Sequence, residues 1–231
     1  MVNTGSVDPG PSGRPYRSAL RRAQAETTRG AVLDATAALF AREGYLRTTM
    51  KAIATEAGTS VETVYAQGSK PALLLACVDR ELGGDDDDVP LTDRPEFAAA
   101  LAQPTAAATI ESFVRALAHV AERASGLLVA FEDAAAADVA TAELWTGAER
   151  QRKADCHRLV QAVADRVPLR AGWDVDTATD AVWLMATPRA AHTALHTLGW
   201  SVDRLVDAVT RQICAVLLPS ELLPSDDRNP A

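Results

Sequence analysis

The sequence predicts an all-α protein in which a small N-terminal helix-turn-helix domain precedes a larger helical domain. Apolar residues recur at helical spacing through most of the chain. Alanine-rich runs such as 134–137, with few β-branched clusters, favour helix over strand. In the stretch 48–70, TTMKAIATEAGTSVETVYAQGSK, two short periodic segments meet at a single glycine. Two helices joined by so tight a turn make a helix-turn-helix.

The first 23 residues, rich in Gly, Pro and Ser before Arg14, Arg17, Arg21 and Arg22, are expected to be a disordered arm. Its arginines would touch phosphates or a minor groove, or form a solvated tail. From about Gln24 to Glu43, Ala31, Val32, Ala35, Ala38 and Leu39 form the apolar stripe of a helix that stops at Gly44. Met50, Ile53, Ala54 and Ala57 share one face of the next helix, and Thr49 is placed to cap it. Gly58 supplies the positive φ that ends it. Thr59 to Glu62 reads T-S-V-E, the pattern of a capping box opening the second helix, with Val64 turned back onto the first. Pro71 then stands in the first turn of a helix running to Gly83-Gly84.

Residues 83–95, GGDDDDVPLTDRP, are expected to be an acidic linker, since four consecutive aspartates repel one another and resist burial. Helices are predicted at about 96–102, 105–124, 126–137, 139–166, 174–186, 189–198 and 202–217, separated by Pro104, Gly126, Pro168 to Gly172, Pro188 and Gly199. The resulting division is an arm at 1–23, a helix-turn-helix domain at 24–82, a linker at 83–95, a second domain at 96–219 and a frayed tail at 220–231.

The net charge of −8 hides an asymmetry. Residues 1–80 hold 10 Lys and Arg against 7 Asp and Glu, a net of +3, and the remainder carries −11. Positive charge thus accompanies the helix-turn-helix, as contacts with a phosphate backbone require. Cys77, Cys156 and Cys214 lie far apart in apolar patterns and read as reduced, buried thiols. No apolar run is long enough to cross a bilayer, and no secretory signal core is present, so a cytoplasmic protein is expected. A Gly-rich phosphate loop, a G-x-S-x-G elbow and an H-E-x-x-H motif are all missing, so neither an enzyme nor a resident cofactor is expected.

The chain resembles the TetR family of transcriptional repressors. The residues carrying the likeness are Arg29, Ala35, Leu39, Phe40, Gly44-Tyr45, Thr48-Thr49, Ile53-Ala54, Ala57 to Ser60, Val64-Tyr65, Ser69-Lys70 and Leu73-Leu74. In the second half, the acidic, tryptophan-bearing start of the helix at Asp174 to Trp183, a proline-broken helix, and Gly199-Trp200-Ser201 before a last helix extend it. The resemblance implies a bacterial homodimer that binds a palindromic double-stranded DNA operator and answers to a small-molecule effector of unknown identity. It places the dimer contact in the helices at about 174–198 and 202–217.

By the same resemblance, Thr49, Ser60, Tyr65 and Lys70 contact phosphates, while Val61, Glu62 and Thr63 face base edges. Glu62 has two readings, acceptor for a cytosine amino group or closure of the capping box with Thr59. The run from Tyr65 to Lys70 is one residue shorter than the family pattern and lacks its aromatic. Phe113, Phe131, Trp145, His157, Trp183 and Met185 fall in the helices that enclose the effector in the family. Arg152 and Arg158 lie in the same region. Two alternatives stand beside this reading: a helical interaction or small-molecule-binding module with weakened DNA binding, and a metal sensor using His192 and His196, which stand at i, i+4.

Overall fold

In a computed structural model, residues 14–83 and 91–222 are described. Among them the chain forms ten α-helices and no strand. Four helices build the N-terminal domain: α1 (Arg14–Glu43), α2 (Met50–Glu56), α3 (Val61–Gln67) and α4 (Lys70–Gly83). After a 3-10 turn at Leu91–Asp93 come α5 (Pro95–Leu101), α6 (Ala106–Ala135), α7 (Val139–Ala164), α8 (Val175–Met185), α9 (Pro188–His192) and α10 (Val202–Leu217).

Two hydrophobic cores organise these helices. The first joins Leu33, Leu39 and Phe40 of α1, Ile53 of α2, Val64 of α3 and Leu73 and Leu74 of α4. It also takes in Leu127, Ala130, Phe131 and Ala134 from the second half of α6. The second core lies between α5, the first half of α6, the second half of α7, α8 and α10, around Phe97, Ile110, Leu159 and Val206. Helix α6 therefore runs through both, and the N-terminal domain is docked on the same rod around which the second domain is built.

Several boundaries depart from the sequence reading. The backbone is already helical at Arg14 rather than from about Gln24, because nothing between Pro15 and Gln24 breaks a helix, and polar composition alone does not prevent one. Residues 1–13 of the expected arm, the aspartates of the linker and residues 223–231 of the tail lie outside the described residues. The end of the linker is packed: Thr92 is buried and fixed to α7. Gly126 does not divide two helices. It keeps right-handed helical φ within a continuous α6, and its missing side chain lets His192 approach, since a Cβ there would lie 3.7 Å from His192 Cε1. Helix α9 continues into a wider π-type turn at Thr193–Thr197, closed by Leu198 N–H donating to the Thr193 carbonyl at 2.9 Å.

Candidate nucleic-acid interface and sensing half

The reading helix α3 is set at an angle to α2 by two end motifs. At the end of α2, Gly58 takes φ 64°, with Thr59 N–H bonded to the Ala54 carbonyl at 3.0 Å and Gly58 N–H to Thr55 at 3.3 Å. This pairing is a Schellman motif. Thr59 is thereby used as the last residue of that motif. The cap of α3 is Ser60, whose Oγ accepts from Thr63 N–H at 3.1 Å. The expected capping box from Thr59 to Glu62 is therefore displaced by one residue. Glu62 falls in the second helical position, fully exposed, its carboxyl held below the usual range by its own backbone N–H and then by the Ser60 hydroxyl. Thr49 caps α2 as expected, accepting from Ala52 N–H at 3.1 Å.

The outer face of α3 is narrower than the sequence implied. Glu62, Tyr65 and Ala66 are exposed at i, i+3, i+4, and Tyr65 presents 60% of its surface. Val61 packs in part against the first core, and Thr63 lies 3.1 Å from Ser60 Oγ through its hydroxyl. Ala66 was missed because a small apolar residue carries no chemical signal of its own. Arg42 and Lys51 line a shallow cleft of about 390 Å³ with Thr49, Glu43 and Glu56, and Arg42 is paired there with Glu43 at 3.2 Å and Glu56 at 3.6 Å.

The shortened turn after Tyr65 is made by Gly68. At φ 146° and ψ 174° it takes a conformation that side chains oppose, and a Cβ there would meet Ala72 Cβ at 3.2 Å. Only Gly68 and Ser69 then separate α3 from α4. Lys70, the first residue of α4, lies with Nζ 4.2 Å from the centre of the Tyr45 ring, and burial pushes its pKa down.

The six residues expected around an effector are not gathered in one place. Phe113 packs edge-on against Phe97 at 5.2 Å in the second core. Phe131 and Trp145, edge to face at 5.3 Å, belong to the first core, against the reading head. Periodicity marks all three as inward-facing, but it does not say which of two cores they enter. Met185 ends α8, half-buried. His157 alone among them lines an open cleft of about 480 Å³ between α7 and α8, with Lys153, Asp176, Thr179 and Asp180. Trp183 lies beneath Arg152, 5.1 Å from ring to guanidinium, and its buried indole N–H has no partner among the described residues.

The two arginines have structural partners. Arg152 forms a paired bridge to Glu149 at 2.9 and 2.6 Å and donates to the Trp183 and Ala186 carbonyls at 2.9 and 3.0 Å, closing the C-terminal end of α8. Arg158 bridges Asp93 and donates to Thr92 Oγ1 at 2.6 Å. The imidazoles of His192 and His196 lie 4.7 Å apart, and no third His, Cys, Asp or Glu joins them in a metal-holding group among the described residues. All three cysteines are buried, with thiols pushed up to about 12 for Cys77 and about 11 for Cys156 and Cys214, which leaves them unreactive. No helix among the described residues is long and apolar enough to cross a membrane.

Residues 32–77 match the family model described as bacterial regulatory proteins, tetR family. No curated protein matches the chain. Solved structures match most of its length. SmeT in complex with triclosan superposes with a TM-score of 0.63 at 20% identity, over 88% of this chain and 98% of SmeT. A regulator from Mesorhizobium loti gives 0.60 at 22%, over 84% and 98%. The ketosteroid transcriptional regulator KstR2 of Mycobacterium tuberculosis gives 0.61 at 16%, over 83% and 95%. The match lies on the stretch from α1 to α4 that positions Thr49, Ser60, Tyr65 and Lys70, and the likeness in fold extends through α10. Residues 32–77 thus match the N-terminal domain of the tetR family of bacterial regulatory proteins, and the chain has the fold of the solved TetR-type regulators it superposes on.

Proposed function

We propose that the protein is a ligand-responsive repressor that binds a palindromic operator as a homodimer and leaves it when a small molecule binds the second domain. The observation that carries the reading is the exposed face of α3. Glu62, Tyr65 and Ala66 stand clear of the core on a helix whose start is fixed by the Ser60 cap and whose end is fixed by Gly68. On this reading Glu62, exposed at the second position of α3, accepts from a base edge such as a cytosine amino group. Thr49, Ser60, Tyr65 and Lys70 hold the backbone and set register without reading sequence. Val61 and Thr63, half-buried, shape the helix start and touch the groove only at its edge.

Dimerisation through α8 to α10 is supported by Leu184 and Leu198, exposed by 67% and 60% in that region. Apolar side chains so exposed are suited to burial against a second copy. Two reading heads then lie one duplex turn, roughly 34 Å, apart on a palindromic site. An effector acts only if it binds the DNA-competent and DNA-incompetent spacings with different affinity. A gel-shift of the full chain against its own upstream intergenic DNA tests the proposal. A sequence-specific shift that survives excess unrelated duplex is expected. Its absence at every protein concentration overturns the reading in favour of an interaction module.

A further inference from the structure

His192 and His196 are one helical turn apart, on a segment that is not a plain α-helix. His192 is the last residue of α9, and His196 lies within the π-type turn at Thr193–Thr197. Four residues make slightly more than one α-helical turn and slightly less than one π-helical turn. Across this mixed segment the two rings therefore stay nearly in line. Their centres are 4.7 Å apart, with 41° between the planes. At this spacing two imidazoles reach one ion from the same helix face.

The surroundings of His192 are those of a ligand. Helix α6 passes close because Gly126 has no side chain; a Cβ there would stand 3.7 Å from Cε1 and 3.9 Å from Nδ1. Next to that glycine, the fully buried Ser125 places its Oγ 3.5 Å from Nδ1. When Nε2 coordinates an ion, the ring proton sits on Nδ1, and Ser125 Oγ is the acceptor that proton requires. Burial, then the neighbouring His196 and Arg189, hold the His192 pKa below its ordinary value. The ring is thus chiefly neutral near pH 7, with its lone pair available. The charge of Arg189 is outweighed by Glu132 at 2.9 Å and Asp133 at 2.6 Å. His196 is exposed, so an ion has access from solvent.

We propose that His192 and His196 form a two-imidazole site for a divalent transition-metal ion, with Ser125 orienting His192. No third His, Cys, Asp or Glu joins the pair among the described residues, so water fills the remaining positions. Imidazole nitrogen selects Cu²⁺, Ni²⁺ and Zn²⁺ over Mg²⁺ and Ca²⁺, which prefer oxygen, and Cu²⁺ binds tightest. The bound ion staples the end of α9 to the π-type turn. Trp200 N–H already closes the same stretch by donating to the Ala194 carbonyl at 2.9 Å. Occupancy stiffens the segment that ends in exposed Leu198, which the function proposed above gives to the second copy. The site itself requires neither DNA nor a dimer.

The test uses the full chain, stripped of metal and titrated calorimetrically near pH 7 with Zn²⁺, Cu²⁺ and Mg²⁺. One Zn²⁺ per chain is expected, with Cu²⁺ tighter and Mg²⁺ silent. Ser125→Ala removes only the acceptor for Nδ1–H and should weaken Zn²⁺ binding about tenfold. His192→Ala and His196→Ala each remove a ligand and should weaken it further still. His119→Ala removes an exposed histidine of α6 and should change nothing. Electron paramagnetic resonance of the Cu²⁺ form gives the second readout. It should show coupling to two imidazole nitrogens in the wild type and to one in His196→Ala. Zn²⁺ should also raise the melting temperature of the wild type and leave that of His196→Ala in place.

Zn²⁺ affinity unchanged in His196→Ala overturns the proposal. A loss in His119→Ala would move the ion to α6 and overturn it equally. Half an ion per chain would place the metal between two copies and overturn the open site. If His192→Ala does not fold, His196→Ala decides, since that side chain is exposed. Full affinity in Ser125→Ala overturns the orienting role of Ser125 alone. A chain that takes up Zn²⁺ as expected but shifts no DNA upholds this inference and overturns only the function proposed above.

Discussion

Thr92 donates a 2.8 Å hydrogen bond to Asp155, tying the turn after the acidic linker to the middle of α7 across 63 residues of chain. The carboxylate is buried and also accepts from Gln151 at 3.2 Å, while Arg158 reaches Thr92 Oγ1 from the far side. Burial raises the Asp155 pKa, against the Thr92 and Gln151 hydrogen bonds and the Arg158 charge, which lower it.

That balance fixes the sign of a pH effect. A carboxyl with a folded pKa above its unfolded value, about 3.9, contributes stability that is fully present below that value. The contribution is lost as pH rises through the raised folded pKa. Asn resembles the protonated form and does not titrate. Asp155→Asn should therefore compare more favourably with wild type at pH 7 than at pH 4. Urea melts at the two pH values measure this, and a difference that is the same at both, or reversed, contradicts the assignment.

The cap of α3 separates two neighbouring residues. Ser60→Ala removes the acceptor for Thr63 N–H and should cost about 1 kcal/mol. Thr59→Ala should cost far less, since Thr59 contributes its backbone N–H rather than its hydroxyl. Thermal melts of the two variants give the comparison, and equal losses would return the cap to Thr59.

Gly68 should resist replacement. An added Cβ at φ 146° both strains the backbone and presses on Ala72, so Gly68→Ala is expected to lose about 1–3 kcal/mol. Chemical denaturation reads the loss. Since the turn also aims α4, the variant should bind DNA less tightly even at temperatures where it is fully folded.

Arg152 is a sharper case than its charge implies. Its planar guanidinium meets Glu149 with two bonds and two carbonyls of α8 with a third nitrogen, a pattern that lysine cannot copy. Arg152→Lys should lose about 1–3 kcal/mol, as the partly buried Trp183 and Ala186 carbonyls lose their partner. Wild-type stability in that variant would mean that water replaces the fork without cost.

Much of the chain was legible because local rules sufficed. Helix α10 falls where the apolar spacing places it, and α2 begins at its expected Thr49 cap. The seam at Gly126 was misread for an equally physical reason. Glycine ends a helix when the chain must turn, but it also stands where another element approaches closely, and sequence shows only that a small residue is required. The spread of Phe113 and Phe131 between two cores has the same origin: periodicity reports that a side chain turns inward, not which neighbours wait there.

The sequence by itself determined the helical class, the helix-turn-helix with its Gly58 turn, and the charge asymmetry that gives an acidic chain a basic reading end. These follow from backbone propensity, spacing and charge, which act over a few residues. The choice of Ser60 rather than Thr59 as the cap of α3 is local as well, since the Schellman motif claims Thr59 first. Tertiary structure alone decided that Lys70 comes to rest on Tyr45. Those two residues are separated by α2 and α3, and only the packing of α4 against α1 brings them into contact.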